Sequence, residues 1–187
     1  MNRRNLMAGL GAVAAGQGAP AASHAEWKDG FAKQLRDDFR AHWKSEKEYS
    51  LAVCEAMPAE HLDFKPASEQ RSFAEQMVHY SRANIGYFSN FKKSFTPPDQ
   101  PESPTPESLR RFVLEAYEFV DNVLGSLTEA DFLRRDVDMG RMPTHTAQDV
   151  FFRAYVHSAH HRGSAIVYLR LKGITPPRWR FPALGVA

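Results

Sequence analysis

The sequence predicts an all-α protein built as a four-helix bundle. Three observations carry this expectation. Four stretches of about 20 to 30 residues repeat apolar side chains at helical spacing. Segments bearing proline or glycine separate them. No stretch keeps the period-two alternation of a half-buried strand convincingly. At 187 residues, 43% hydrophobic and 25% charged, the chain has the length and composition of one globular domain with a sizeable core.

Before the bundle comes a leader, residues 1–25. Arg3-Arg4 is followed by an Ala/Gly-rich run to Ala15, and Ser23-His24-Ala25 puts small residues before a cut ahead of Glu26. A charged start, a short apolar middle and a small-residue end read as a cleavable secretory signal. The arginine pair resembles a twin-arginine signal, although Asn2, Leu6 and Ala8 depart from its commonest residues. A bare unstructured start is the alternative. The apolar run is too short to span a bilayer, so a periplasmic or secreted protein without stable membrane insertion is expected once the signal is removed. The leader also explains the charge. Removing its two arginines from the 24 basic residues leaves 22, equal to the 22 acidic ones. The bundle, residues 26–187, is therefore neutral.

The first helix is expected from Trp27 to Met57. Leu35, Phe39, His42, Glu46, Tyr49 and Val53 step by four and three along one seam. His42 and Glu46 on that seam read as a wet edge, a buried hydrogen-bonded pair, or support for a metal site. Pro58 ends the helix, and Ala59 to Gln70 reads as loop. The second helix opens at the capping box Ser72-Phe-Ala-Glu75 and is expected to reach about Phe95. Phe73, Met77, Tyr80, Asn84, Tyr87, Phe88 and Phe91 form its stripe, with His79 beside it. Thr96 to Glu107 holds five prolines, which forbid helix and favour an extended connector. Thr105-Pro106 starts the third helix, whose apolar face runs from Leu109 through Phe112, Val113, Ala116, Phe119 and Val120 to Val123. A short turn at Thr128 and a loop or small hairpin over Arg135 to Pro143 lead to the fourth helix, from Thr146 to Lys172. Gly173 caps it. Asp substituted at Val167 or Leu171 should destabilise this helix if either is buried.

The fourth helix carries the chemistry. His157 and His161 are four apart, about 40° around the axis and about 6 Å along it, so both imidazoles reach over one face. His160 overshoots that face. Two imidazoles rarely make a metal site, so a third must come from another element, and His79 is the strongest candidate. Spacing alone leaves an ordinary surface or core pair open. Ser158 stands where a zinc protease needs Glu, which excludes that class. Cys54 is the only cysteine, which excludes an intrachain disulfide and a cysteine cluster. The aromatics are not interleaved with basic residues, so nucleic acid is not an expected partner.

Met57-Pro-Ala-Glu-His-Leu-Asp-Phe-Lys-Pro66, Ser72 to Tyr80, His157-Ser-Ala-His-His-Arg-Gly163 and Tyr168 to Pro177 together resemble the DinB/YfiT-like superfamily. The resemblance covers about residues 30 to 182. It implies a four-helix bundle, often a homodimer, holding a divalent metal, zinc or nickel, through three histidines. These carry over to His79, His157 and His161. Ser164 stands where relatives commonly have Gln. Three imidazoles with an open position are the pattern of a catalytic site, and Glu46, Gln76 and Asn84 are candidates to support the ligands. No catalytic residue is assigned. A metal-dependent enzyme of hydrolase or thiol-transferase type, acting on a small-molecule substrate, is one expectation, although an oxidising compartment counts against thiol transfer. A non-catalytic metal-binding or stress-related interaction protein is the alternative, and a bundle whose histidines never meet metal is a third. A polar, substrate-sized pocket over the open position would favour the enzyme.

Overall fold

A computed structural model describes residues 30–91 and 94–179; the leader, and with it the export signal, lies outside them. Among the described residues the fold is all-α, as expected. Four long helices, α1 (Phe31–Glu55), α2 (Phe73–Ser89), α3 (Pro106–Ser126) and α5 (Ala147–Leu171), are accompanied by one short α turn, α4 (Glu129–Phe132), and by a 3-10 turn, Ala59–His61, within the expected loop.

The ends of the helices follow local chemistry. At α2 both halves of the Ser72–Glu75 capping box form. Thr105 and Ser108 make a second box at α3, with Pro106 as its first helical residue, and Thr146 accepts from the Asp149 N–H at α5. Gly173 has φ 72°. Its N–H reaches the Arg170 carbonyl at 3.0 Å while that of Ile174 reaches Leu169 at 2.9 Å, the paired bonds of a Schellman stop. α2 ends at Ser89 instead of running to Phe95. The Asn90 side chain donates to the carbonyls of Gly86 (3.1 Å) and Tyr87 (3.3 Å), closing the helix from below. The expected hairpin before α5 is a single antiparallel bridge, Val137 to His145, with Gly140 in its turn at φ 68°.

Cross-helix contacts give the order around the bundle. Arg40 meets Asp121 and Ser50 meets Tyr117, so α1 and α3 are antiparallel. Asn84 meets Ser158 and Gln76 meets Tyr168, so α2 and α5 are antiparallel. Phe39 packs on Phe151 and Glu46 binds Arg162, which makes α1 and α5 parallel. α2 and α3 must then point the same way. The chain between them has to return along the bundle, and the proline-rich connector does this in extended form, which covers more length per residue than a helix.

The core follows the predicted stripes on α2 and α3. On α1 the buried line also includes Trp43, 1% exposed, stacked on Phe39 and tilted against Tyr117 and Phe88. On α5 the buried side is not the one that carries Val167 and Leu171. Val167 and Leu171 are both exposed, so the condition for destabilisation by Asp is not met. Tyr168 and Leu169, on the other side of that turn, are the buried pair.

Candidate metal centre

His79 projects from α2 toward α5, where His157 and His161 stand one turn apart. The ring centroids are 5.1 Å (His79–His157), 4.5 Å (His79–His161) and 4.5 Å (His157–His161) apart. One ring nitrogen from each lies within 4.8 Å of the others, near enough for three bonds to a shared cation. His161 is buried, and His79 and His157 are half-buried. His160 is exposed and outside the group, as its angle predicts. His42 is also outside it, on α1 with its ring edge-on to Tyr155.

A hydrogen-bond relay fixes the protonation of His161. The Arg71 carbonyl can only accept, so the Tyr168 hydroxyl donates to it, at 3.0 Å. That hydroxyl in turn accepts from the Gln76 amide nitrogen at 3.1 Å. The Gln76 carbonyl oxygen therefore faces His161, accepting the Nδ1–H at 2.6 Å. The Nε2 of His161 is left with its lone pair, 3.0 Å from the Nε2 of His157. In a metal-free site one proton bridges these nitrogens, the place a cation would take. The donor set fits a divalent metal ion, since neutral imidazole is the ligand form.

The environment also disfavours imidazolium. Burial, followed by the charge of neighbouring imidazoles and Arg71, lowers His157 to about 4 and His161 to about 3. His79 is lowered too, first by burial and then by Arg71 and Arg82.

Of the three proposed supports only Gln76 touches a ligand histidine. Asn84 donates to Ser158 Oγ at 2.8 Å, which fixes α2 on α5 beside the group. Glu46 forms a buried bidentate pair with Arg162, the residue after His161. Arg162 also stands over the Tyr49 ring at 4.8 Å. Arg162 and Tyr168 were missed as site residues. The signal for Arg162 was Glu46 itself, an acid on an apolar seam that needs a cation. Cys54 supplies no nucleophile, because burial pushes its thiol up to about 12.

A cleft of about 830 Å³ opens beside His79, lined by Arg71, Glu75, Arg82 and the connector from Gln100 to Pro104. A second, largely apolar cavity of about 370 Å³ lies elsewhere, between α1, α4 and α5 around His42.

Fold and site together define a helical-bundle protein with a three-histidine group able to hold a metal. A model of the DinB family matches residues 32–184, and the chain belongs to that family. It is 28% identical over 141 residues to YjoA of Bacillus subtilis (strain 168), covering 72% of this chain and 89% of that one. The crystal structure of that DinB-like protein superimposes with a TM-score of 0.65 at 23% identity, over 78% of this chain and 99% of the other. A DinB-like protein from Bacillus cereus ATCC 10987 gives 0.67 at 19% identity, over 76% and 95%. Both likenesses confirm the fold.

Proposed function

We propose that the chain holds one divalent ion, zinc or nickel, through His79, His157 and His161, and is a metal-dependent enzyme of hydrolase or thiol-transferase type acting on a small molecule. One observation carries the reading: three imidazoles converge, and one of them, His79, also lines a polar cleft of about 830 Å³. An ion bound there supplies a positive centre that makes a water or thiol acidic near neutral pH. The chain's own residues do the rest. Gln76, backed by Tyr168, keeps a proton on Nδ1 of His161 and so keeps Nε2 available. Burial keeps the three rings neutral, and the cleft beside His79 admits the substrate. Export through residues 1–25 belongs to the same proposal, resting on Arg3-Arg4 and the small residues before Glu26.

Metal content of the protein from its own host, measured by elemental analysis after dialysis, tests the site. About one ion per chain is expected, lost when His79, His157 or His161 becomes Ala, since two imidazoles remain. His160→Ala should keep nearly the parent content. Loss in His160→Ala with retention in His161→Ala would overturn the assignment.

A further inference from the structure

We infer that the outward face of α5 is a self-complementary interface, on which a second copy of this chain packs antiparallel with Val156 against the partner's Val167. The family resemblance leaves open which surface pairs; α5 fixes the face and the register. From Phe152 to Leu171 the exposed positions step mostly by four: Phe152, Val156, His160, Gly163, Val167 and Leu171. They lie within about 100° of the helix circumference. A helix face left to solvent carries charged and polar side chains. Here four of the positions are large apolar residues, between 48% and 63% exposed. Among the described residues the other exposed large hydrophobics are Phe31, Leu133 and Trp179, which share no element with one another. Single exposed residues of that sort are ordinary, whereas a contiguous apolar line marks a contact.

Gly163 is a second, independent observation. Glycine inside a helix is less favourable than alanine. Its φ is not positive, and a Cβ there would meet nothing within 4 Å. Gly86 and Gly125, the other glycines inside long helices, lie in the last turns of α2 and α3, whereas Gly163 stands well inside α5. Nothing within the chain calls for glycine at this place; a group arriving from outside does. A lipid surface would gain from a bulky side chain there, so the glycine points to a packed protein partner.

The stripe identifies that partner by its own symmetry. Counted outward from its midpoint, between His161 and Arg162, Phe152 corresponds to Leu171, Val156 to Val167 and His160 to Gly163. A two-fold axis facing that midpoint lays each of these residues on its counterpart in an antiparallel copy, which is an isologous contact. Phenylalanine then meets leucine, valine meets valine, and the His160 ring enters the space where the partner's Gly163 has no side chain. The ends of the stripe agree. Asp149 is exposed at its amino-terminal end and Arg170 near its carboxy-terminal end. Antiparallel packing brings acid toward base, where parallel packing would set like charges together. Net charge does not oppose the pairing, since residues 26–187 hold 22 basic and 22 acidic side chains.

Introduced cysteines test the register on the full-chain protein. Cys54 is buried and its thiol is pushed up to about 12, so the parent should not cross-link under diamide. A mixture of Val156→Cys and Val167→Cys should give a disulfide-linked dimer on a non-reducing gel, and either variant alone should give little. Sedimentation over a concentration series should show a reversible dimer of the parent. Gly163→Leu should raise its dissociation constant about tenfold or more. The same variant, diluted to monomer, should keep or raise the parent's urea midpoint, because leucine is the better helix former; a glycine needed by the monomer's own fold would lower it. Val167→Asp, at an exposed position, should weaken the dimer likewise and serves if Gly163→Leu does not fold. A parent monomeric at every concentration overturns the inference. So does a Val156→Cys protein that links to itself as readily as the mixture does, or a pair of variants that dimerise as the parent does.

Discussion

Gln76 is the residue on which the proton arrangement of the centre turns. Its amide is read in one orientation because the relay ends on a backbone carbonyl. Gln76→Leu should lower metal affinity by about 10- to 100-fold, the usual cost of losing a ligand's supporting partner, with Gln76→Glu much milder because it still accepts from Nδ1. Competition with a chromogenic chelator measures both, and an unchanged Leu variant would remove the relay from the account. The imidazoles also set a pH dependence. His157 and His161 titrate near 4 and 3 when folded, below the ordinary 6.5, so the unfolded chain binds protons first. Stability from their neutral state is complete above about pH 6.5 and is lost as pH falls toward 3. The urea midpoint of the metal-free protein should fall over that range, and His157→Gln/His161→Gln should flatten the fall. The i, i+4 pair and His79 were legible as candidates, because helical geometry fixes which rings share a face. Gln76 could not be ranked above Glu46 and Asn84, because the choice depends on how α2 is rotated against α5.

Among the elements, α1 and α5 are joined by the Glu46–Arg162 pair, buried on both sides. Glu46→Ala would leave a guanidinium without its counter-charge and should cost about 3–5 kcal/mol in denaturant unfolding. Glu46→Leu/Arg162→Met should recover much of that, because removing both charges removes the desolvation cost. A double variant no more stable than Glu46→Ala would mean that the pair contributes more than balanced charge. The caps and stripes that define each helix were visible in the sequence, since they are local. What local reading left open was contextual. α2 stopped early because the Asn90 side chain closed it, and the outward face of α5 carries Val167 and Leu171, apolar residues that no neighbouring helix covers. Arg162 sits among polar residues in its own helix; the groups that bury it, Glu46, Tyr49 and Ser50, belong to α1.

For the whole molecule, the sequence supplied the helix count but not which helices lie side by side, because an apolar stripe does not name its partner. The proline connector was the exception, since its extended form suits a return along the bundle. Export is tested at this scale. The mature protein from its host should begin at or near Glu26 by mass spectrometry, and Arg3→Lys/Arg4→Lys should block export. An intact Met1 on cytoplasmic protein would end the proposal, and unchanged export of the lysine variant would point to the general secretion route. The connector has another consequence. A single nick within it would divide the chain into an α1–α2 piece bearing His79 and an α3–α5 piece bearing His157 and His161. Each long helix packs against helices of the other piece, α1 on α3 and α5, and α2 on the same two. The two fragments are thus complementary halves, and the histidine cluster is a feature that neither owns until they reassociate.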